Sequence, residues 1–319
     1  MKYLRYLLIA AIIALAVYHL KPHFAELSQF PHILKTANYF YLLLSALAIV
    51  GQYFGDGWLS KILLEITGHK INIKQTIKIA AIDVFAAHML PIGEAGVTAT
   101  SVYFYKKLGV SNQGVIFLTA MWAITTNIVL IAFLLISLSL LPKLPNLQIH
   151  VSDLAKIVLL LTLAILALII LLKKQFFGFL EKKFSKYSFF DEIKKFVSDL
   201  SVHKQNVQKN KILLIKASLA ALIYYAANIA SLYFCFVAFH YYPSLALVTS
   251  AYLLSLIISF ITLTPAGIGT AEAVMILIFL QFNLNPAITT AAVLAFRLFA
   301  FWLPIPAGFL AYLSLKKSA

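Results

Sequence analysis

Charged side chains inside long apolar stretches are the residues of this sequence with the clearest capacity for chemistry. Arg297 lies in such a stretch, and Glu272 is the nearest acidic residue in the sequence. An arginine keeps its proton, so at membrane depth it needs an acidic partner, backbone carbonyls or an anionic ligand. We therefore predict a substrate-binding site in which Arg297 binds a phosphate and Glu272 tunes it or handles a counter-proton. A purely structural ion pair is the alternative that the sequence leaves open.

Three more polar residues, Asp83, His88 and Glu94, lie in an earlier apolar region. Glu94 is predicted to bind a cationic group or a proton, or else to cap the helix that it opens. Asp83 and His88 are candidates for a proton or polar relay, although a satisfied polar role is favoured for His88. The sequence contains no Cys/His metal spacing and no nucleophile–base pair, so we predict a non-enzyme without metal or cofactor.

Two Pro-x-Gly sequences interrupt the apolar regions that carry these charges. The first contains Pro91 and Gly93, and the second contains Pro265, Gly267 and Gly269. At an offset of 174 positions, the proline and the first glycine of one sequence align with those of the other. Proline and glycine end helices and leave backbone groups unpaired, which lipid cannot satisfy. The breaks therefore predict two uncoiled tips that line a polar cavity, and we assign the three glycines to the substrate-binding site.

The composition excludes a soluble globular domain and indicates a polytopic helical membrane protein. Of the 319 residues, 62% are hydrophobic and 12% are charged. Basic residues outnumber acidic ones 26 to 11. In a soluble protein this excess would suggest nucleic acid, but here the lysines cluster between apolar runs. That pattern predicts membrane orientation and contact with anionic lipid, and no nucleic acid partner.

Six apolar runs are long enough to cross a hydrocarbon core of about 30 Å. They lie at about 4–20, 37–57, 112–141, 154–172, 212–240 and 287–314. The broken regions, about 76–107 and 247–282, are each either one kinked span or a re-entrant hairpin of two short helices. A full crossing in the first region would move eleven lysines of 173–216 outside, against the positive-inside rule. We therefore predict an all-α polytopic membrane protein with six full spans plus two re-entrant helical hairpins, arranged as an inverted repeat.

The chain is predicted to form a single integral membrane domain over residues 1–319. Its pseudo-repeats cover about 1–145 and 154–315 and run in opposite directions, which supplies the two states that alternating access requires. Ancient duplication without transport is the alternative. Aromatic residues and lysines share helical spacing in 173–211, which predicts a basic interfacial segment that gathers anionic headgroups or anchors the topology. Whether residues 1–16 are cleaved stays open.

Motifs in both halves resemble the flippase-like membrane domain of lysylphosphatidylglycerol synthases. The second-half motif consists of Pro265-x-Gly267-x-Gly269-x-x-Glu272, then Arg297, Trp302-Leu303-Pro304 and Gly308. The first-half motif consists of Leu90-Pro91-x-Gly93-Glu94, then Lys106-Lys107-Leu108-Gly109. The resemblance covers nearly the whole chain and implies a stand-alone member of this family. Because the chain ends at Ala319 without room for the soluble aminoacyl-transferase domain, lipid aminoacylation is not expected.

The resemblance implies a flippase-like lipid translocase that moves a phospholipid or lipid-linked headgroup between leaflets by alternating access. An accessory or catalytic subunit in polyprenyl-phosphate glycolipid synthesis and a small-solute transporter stay open as alternatives. The expected partners are membrane lipids with anionic headgroups. A homo-oligomer and a glycosyltransferase or lipid-synthesis partner also stay open. The expected location is the prokaryotic cytoplasmic (inner) membrane, with multiple spans and both termini in the cytoplasm.

Overall fold

The computed structural model describes residues 34–89, 94–142, 210–262 and 267–317, and these ranges contain helices and no strand. The helices are α1 (Tyr39–Ile66), α2 (Ile73–Met89), α3 (Glu94–Lys107), α4 (Asn112–Ser139), α5 (Lys211–Ala238), α6 (Leu245–Thr262), α7 (Thr270–Gln281), α8 (Pro286–Arg297) and α9 (Pro304–Lys317). A π-helical segment, Leu298–Trp302, joins α8 to α9. The predicted spans 4–20 and 154–172 and the basic segment up to residue 209 lie outside the described residues.

Four helices of the described part are long and apolar enough to cross a membrane. They are α1, α4, α5 and the continuous run from Pro286 to Lys316. At 1.5 Å per residue, a 28-residue helix such as α1 is about 42 Å long, which exceeds a hydrocarbon core of about 30 Å. Local capping fixes the starts of α1 and α8, where the side chains of Asn38 and Asn285 accept backbone N–H bonds. The four long apolar helices make the chain a multi-pass helical membrane protein.

Helices α1 and α5 pack along each other at the centre of the structure. Near the start of α1, the N–H of Asn38 donates to the carbonyl of Ala238 at the end of α5, 2.8 Å away. Further along α1, a Cβ added to Gly55 would lie 2.7 Å from the backbone nitrogen of Tyr224. Early residues of α1 thus lie beside late residues of α5, so the two helices are antiparallel. The missing side chain at Gly55 allows the two backbones to touch.

Each break region consists of two short helices that pack on each other, α2 with α3 and α6 with α7. We call these pairs the first and the second hairpin. Helix α2 has 17 residues and α3 has 14, so they extend only about 25 and 21 Å. Asp83 of α2 ties the first hairpin together by accepting hydrogen bonds from Thr100 (2.7 Å) and Ser101 of α3. Helices α2, α3, α6 and α7 are all shorter than the four long helices.

The open ends of the two hairpins lie at opposite ends of the bundle. His69, in the α1–α2 turn, accepts the N–H of Ser111 in the α3–α4 turn at 3.2 Å, so the first hairpin starts and finishes at one end. The second hairpin starts and finishes beside the opposite end of α5, where Phe236 and Phe279 have ring centroids 4.6 Å apart. The two hairpins therefore enter the bundle from opposite directions.

The end that holds the open side of the first hairpin is rich in lysine, and we call it the lysine-rich end. Its lysines are Lys61, Lys70, Lys74, Lys78, Lys106, Lys107, Lys211, Lys216, Lys316 and Lys317. Among the described residues, the opposite end carries only Lys35 as a lysine or arginine. The two ends of the described bundle thus differ strongly in positive charge.

Each hairpin packs against the last helix of the other half of the chain, α2 against α9 and α6 against α4. Lys78 of α2 donates to the hydroxyl of Ser314 at 2.7 Å, and a Cβ on Gly308 would lie 2.4 Å from the carbonyl oxygen of Ala81. In the other contact, Ser250 of α6 donates to Ser137 of α4 at 2.9 Å. Equivalent helices start 172 residues apart for α1 and α5 and 174 apart for α4 and α8. The boundaries of the pseudo-repeats stay a prediction.

Candidate functional site

An ion pair joins the second hairpin to the last long helix. The Nε of Arg297, at the end of α8, donates to Oε1 of Glu272, in the first turn of α7, over 2.6 Å. The exposed fraction of the side chain is 14% for Arg297 and 19% for Glu272. The structure therefore pairs the two residues that the sequence analysis placed in a substrate-binding site.

Two glycines shape the turn that places Glu272. Gly267 and Gly269 have φ values of +68° and +79°, in the left-handed region that side chains disfavour. A Cβ on Gly267 would also lie 2.9 Å from the hydroxyl oxygen of Ser259. Gly269 caps α7, so the Glu272 carboxylate lies at the positive end of that helix dipole. The described contacts give both glycines a role in the backbone geometry of the site.

One oxygen of the Glu272 carboxylate is buried without a hydrogen-bond partner. Oε1 accepts from Arg297, whereas Oε2 has no partner in the described structure. Arginine–carboxylate pairs frequently form two parallel bonds that use both oxygens. A buried polar atom that lacks a partner costs about 1–3 kcal/mol, so its presence in a folded protein calls for a functional explanation. The pair therefore offers an acceptor atom to a ligand that donates hydrogen bonds.

Phe301 of the π segment connects this ion pair to the first hairpin. The guanidinium carbon of Arg297 lies 4.8 Å from the centroid of the Phe301 ring, a cation–π contact. The imidazole of His88, near the end of α2, stacks on the same ring with centroids 4.1 Å apart. Its Nδ1 is buried and has no hydrogen-bond partner within the ranges that the structure describes. We call Glu272, Arg297, Phe301 and His88 the junction, because they bring both hairpins to one place.

The π segment gives the last long helix a wider turn directly after Arg297. The N–H of Leu303 bonds the carbonyl of Leu298 at 2.9 Å, which is the five-residue spacing of a π-helix. Pro304 follows, and a proline in a regular helix lacks its N–H and clashes with an earlier carbonyl. The widened turn accommodates this proline. Single π turns within α-helices occur frequently at functional sites.

Of the remaining predicted site residues, some lie in the described part of the chain and others lie outside it. Asp83 lies in the first hairpin, where it bonds the two helices to each other. Glu94 begins α3, as the capping alternative requires, although its side chain is not among those described. Pro91, Gly93 and Pro265 lie outside the described residues. Phe301 and the π segment were not predicted from the sequence, in which the Pro304-Ile305-Pro306 sequence was the available signal.

The fold defines a class: multi-pass helical membrane proteins. Within it, the family profile described as "Lysylphosphatidylglycerol synthase TM region" matches residues 3–308, so the chain belongs to this family. The predicted family resemblance is thereby confirmed. A UPF0104 membrane protein of Methanocaldococcus jannaschii is 24% identical over 269 residues, covering 81% of this chain and 79% of the relative. One from Methanothermobacter thermautotrophicus is 27% identical over 95 residues, covering 30% of this chain and 28% of the relative.

Proposed function

We propose that this protein is a flippase-like translocase that moves the headgroup of an anionic phospholipid or lipid-linked molecule between leaflets by alternating access. The observation that carries this proposal is the junction, where two hairpins from opposite ends meet at a part-buried ion pair with an acceptor oxygen that no described residue uses. The family's description refers to the membrane region of a lipid synthase, which supports a lipid as the substrate.

The proposed membrane arrangement follows from helix length and charge. The lysine-rich end, where α9 finishes, would face the cytoplasm of a prokaryotic cell by the positive-inside rule. With the predicted span 4–20, the N-terminus would lie on the same side of the cytoplasmic membrane. Helices α2, α3 and α7 are shorter than the roughly 30 Å core, so each hairpin dips into the membrane and returns to its own side. Together with the predicted spans outside the described residues, this gives six spans and two re-entrant hairpins.

The ion pair suits a headgroup that carries both a phosphate and hydrogen-bond donors. A phosphate oxygen would compete with Glu272 for the planar guanidinium of Arg297. A headgroup ammonium or hydroxyl would donate to Oε2 of Glu272, which has no partner among the described residues. The charges of Arg297 and Glu272 would then stay balanced while the headgroup is out of water. Removing the headgroup from water is the main cost of moving it through a membrane. The acyl or polyprenyl tails would remain in the bilayer.

Alternating access requires that the hairpin contacts open in turn. At the lysine-rich end, α2 is closed against α9 through Lys78–Ser314 and Gly308. At the other end, α6 is closed against α4 through Ser250–Ser137. Opening the first contact would expose the junction to the cytoplasm, and opening the second would expose it to the outside. The π segment beside Arg297 supplies a hinge for the first of these movements.

The test is headgroup translocation in sealed vesicles that contain the purified full chain. Phosphatidylglycerol with a fluorophore that an impermeant reductant bleaches reports how fast inner-leaflet lipid reaches the outer leaflet. We expect bleaching to continue past the outer-leaflet fraction in vesicles with protein and to stop there in vesicles without it. Labelled phosphatidylethanolamine and labelled polyprenyl phosphate in parallel vesicles rank the headgroups. Equal rates with and without protein for all three lipids, with uptake of a small solute, would contradict the proposal.

A further inference from the structure

Two buried polar atoms that lack a partner belong to the junction. Within the described ranges, four buried side-chain nitrogens or oxygens have no hydrogen-bond partner: the hydroxyl of Tyr53, Nδ1 of His88, Oε2 of Glu272 and the hydroxyl of Thr289. Folded proteins leave few such atoms, and each calls for an explanation. Nδ1 and Oε2 lie on two different hairpins and yet belong to one cluster of contacts. That coincidence suggests that a single ligand satisfies both.

The contacts of the junction gather these two side chains around one aromatic ring. The Phe301 ring lies 4.1 Å from the imidazole of His88, centroid to centroid, and 4.8 Å from the guanidinium carbon of Arg297. Arg297 in turn holds Glu272 through its Nε at 2.6 Å. A headgroup whose phosphate contacts the guanidinium therefore has both unpartnered atoms near its remaining polar groups. Such a headgroup would contact the first hairpin through His88 and the second through Glu272.

The chemistry of the two atoms restricts what the headgroup carries beside its phosphate. A carboxylate oxygen only accepts hydrogen bonds, so Oε2 of Glu272 needs a donor. The Nδ1 of a neutral histidine accepts in one tautomer and donates in the other. A hydroxyl group both donates and accepts, so it satisfies Oε2 and either tautomer of His88. An ammonium group only donates, so it satisfies one tautomer alone. Hydroxyl groups fit the pair best.

We propose that the junction selects headgroups with two hydroxyl groups beside the phosphate, and that Nδ1 of His88 is a specificity contact for one of them. This inference rests on the proposed function and names the substrate class of the same site. Arg297 binds the phosphate, Oε2 of Glu272 accepts from the first hydroxyl, and Nδ1 of His88 bonds the second. The glycerol headgroup of phosphatidylglycerol provides this pattern.

A binding measurement tests the selection without any transport. Phosphatidylglycerol and phosphatidylpropanol have the same phosphate charge and the same three-carbon headgroup, but only the first carries hydroxyls. Short-chain forms of each lipid are titrated calorimetrically into the purified full chain in detergent. We expect phosphatidylglycerol to bind about a hundredfold more tightly, because each hydroxyl that bonds a buried acceptor contributes about tenfold. Equal affinity for the two lipids, or no measurable binding of either, would overturn the proposal.

Substitutions at His88 separate hydrogen bonding from packing. His88→Phe keeps a ring that stacks on Phe301 and removes Nδ1. His88→Asn loses the ring but places an amide oxygen or nitrogen as many bonds from the backbone as Nδ1 is. We expect His88→Phe to weaken phosphatidylglycerol binding about tenfold and to leave phosphatidylpropanol binding unchanged. His88→Asn should bind phosphatidylglycerol more tightly than His88→Phe does. Parent affinity for phosphatidylglycerol in His88→Phe would show that Nδ1 does not contact the headgroup.

Thr289→Val is the matched control for these variants. The Thr289 hydroxyl is also buried and without a partner in the described part of the chain. It precedes Arg297 by eight residues of α8, which is about 12 Å along the helix. Valine has the same shape without the hydroxyl, so this variant should bind both lipids as the parent does. A loss of the preference for phosphatidylglycerol in Thr289→Val would contradict the assignment to the junction.

Translocation of the same two lipids connects the selection to the proposed function. In the vesicle assay, with the fluorophore on an acyl chain, phosphatidylglycerol should cross faster than phosphatidylpropanol in the parent. His88→Phe should reduce this difference about tenfold. Equal movement of the two lipids would overturn the selection and leave the translocase intact. Selective binding by protein that moves neither lipid would support the site while the proposed function fails.

Discussion

The double variant Arg297→Met, Glu272→Met should fold as well as the parent chain and move no lipid. Replacing both partners of a buried ion pair by apolar residues is often neutral or stabilising by about 1–4 kcal/mol. The same change removes the guanidinium and the Oε2 acceptor that the proposed headgroup site needs. Thermal unfolding in detergent measures the folding, and the vesicle assay with labelled phosphatidylglycerol measures translocation.

Single variants provide the comparison for the double one. Arg297→Ala leaves the Glu272 carboxylate buried without compensation, which costs about 3–5 kcal/mol, and Glu272→Ala does the same to the guanidinium. Each single variant should therefore lower the amount of folded protein, and lower the activity per folded molecule still further. A double variant that is folded and translocates lipid at the parent rate would mean that the pair only holds the second hairpin to the last helix.

A disulfide between Ser137→Cys and Ser250→Cys should stop translocation when oxidised and restore it when reduced. The two hydroxyl oxygens lie 2.9 Å apart, so cysteines at these positions are close enough to bridge. The bridge would fix α6 of the second hairpin to α4, and the proposed cycle needs this contact to open. The variants are made with Cys235→Ala, and the rate is measured before and after reduction in the same vesicles.

The matched control for this bridge joins the central helices instead. Ser45→Cys would face the native Cys235, since the hydroxyl of Ser45 lies 3.1 Å from that sulfur. In the proposed cycle the hairpins move around the central pair α1 and α5, so this disulfide should leave translocation unchanged. Full activity with the oxidised Ser137–Ser250 bridge would be incompatible with alternating access at that end.

The parts of the fold that the sequence predicted are those that local chemistry decides. Four of the predicted apolar runs correspond to the four long helices of the described part. The Pro-x-Gly sequences separate the two helices of each hairpin. Arg297 and Glu272 were identified because an arginine in an apolar stretch needs a partner. The predicted span 37–57 ends nine residues before α1 does, because buried apolar residues continue the helix past the polar Lys61 and Glu65. These buried residues are Leu59, Ile62, Leu63, Leu64 and Ile66.

The parts that the sequence did not predict depend on packing between distant segments. The indole N–H of Trp122 donates to Asp56 across 66 positions of sequence, and no local pattern links the two residues. Gly308 is needed for close helix packing only because the backbone of α2 passes beside it. For His88 the sequence favoured a satisfied polar side chain, whereas the structure stacks it on Phe301 and leaves Nδ1 without a partner. Contacts of this kind are fixed by the tertiary arrangement of helices rather than by periodicity.

Labelling of single cysteines in intact cells tests whether the two hairpins enter from opposite sides of the membrane. Lys74→Cys and Lys106→Cys mark the open end of the first hairpin, and Tyr242→Cys and Gln281→Cys mark that of the second; all four positions are exposed. With Cys235→Ala as background, an impermeant maleimide should label the second pair in intact cells and the first pair only after the membrane is opened. Labelling of both pairs from the same side would show that the hairpins do not enter from opposite sides.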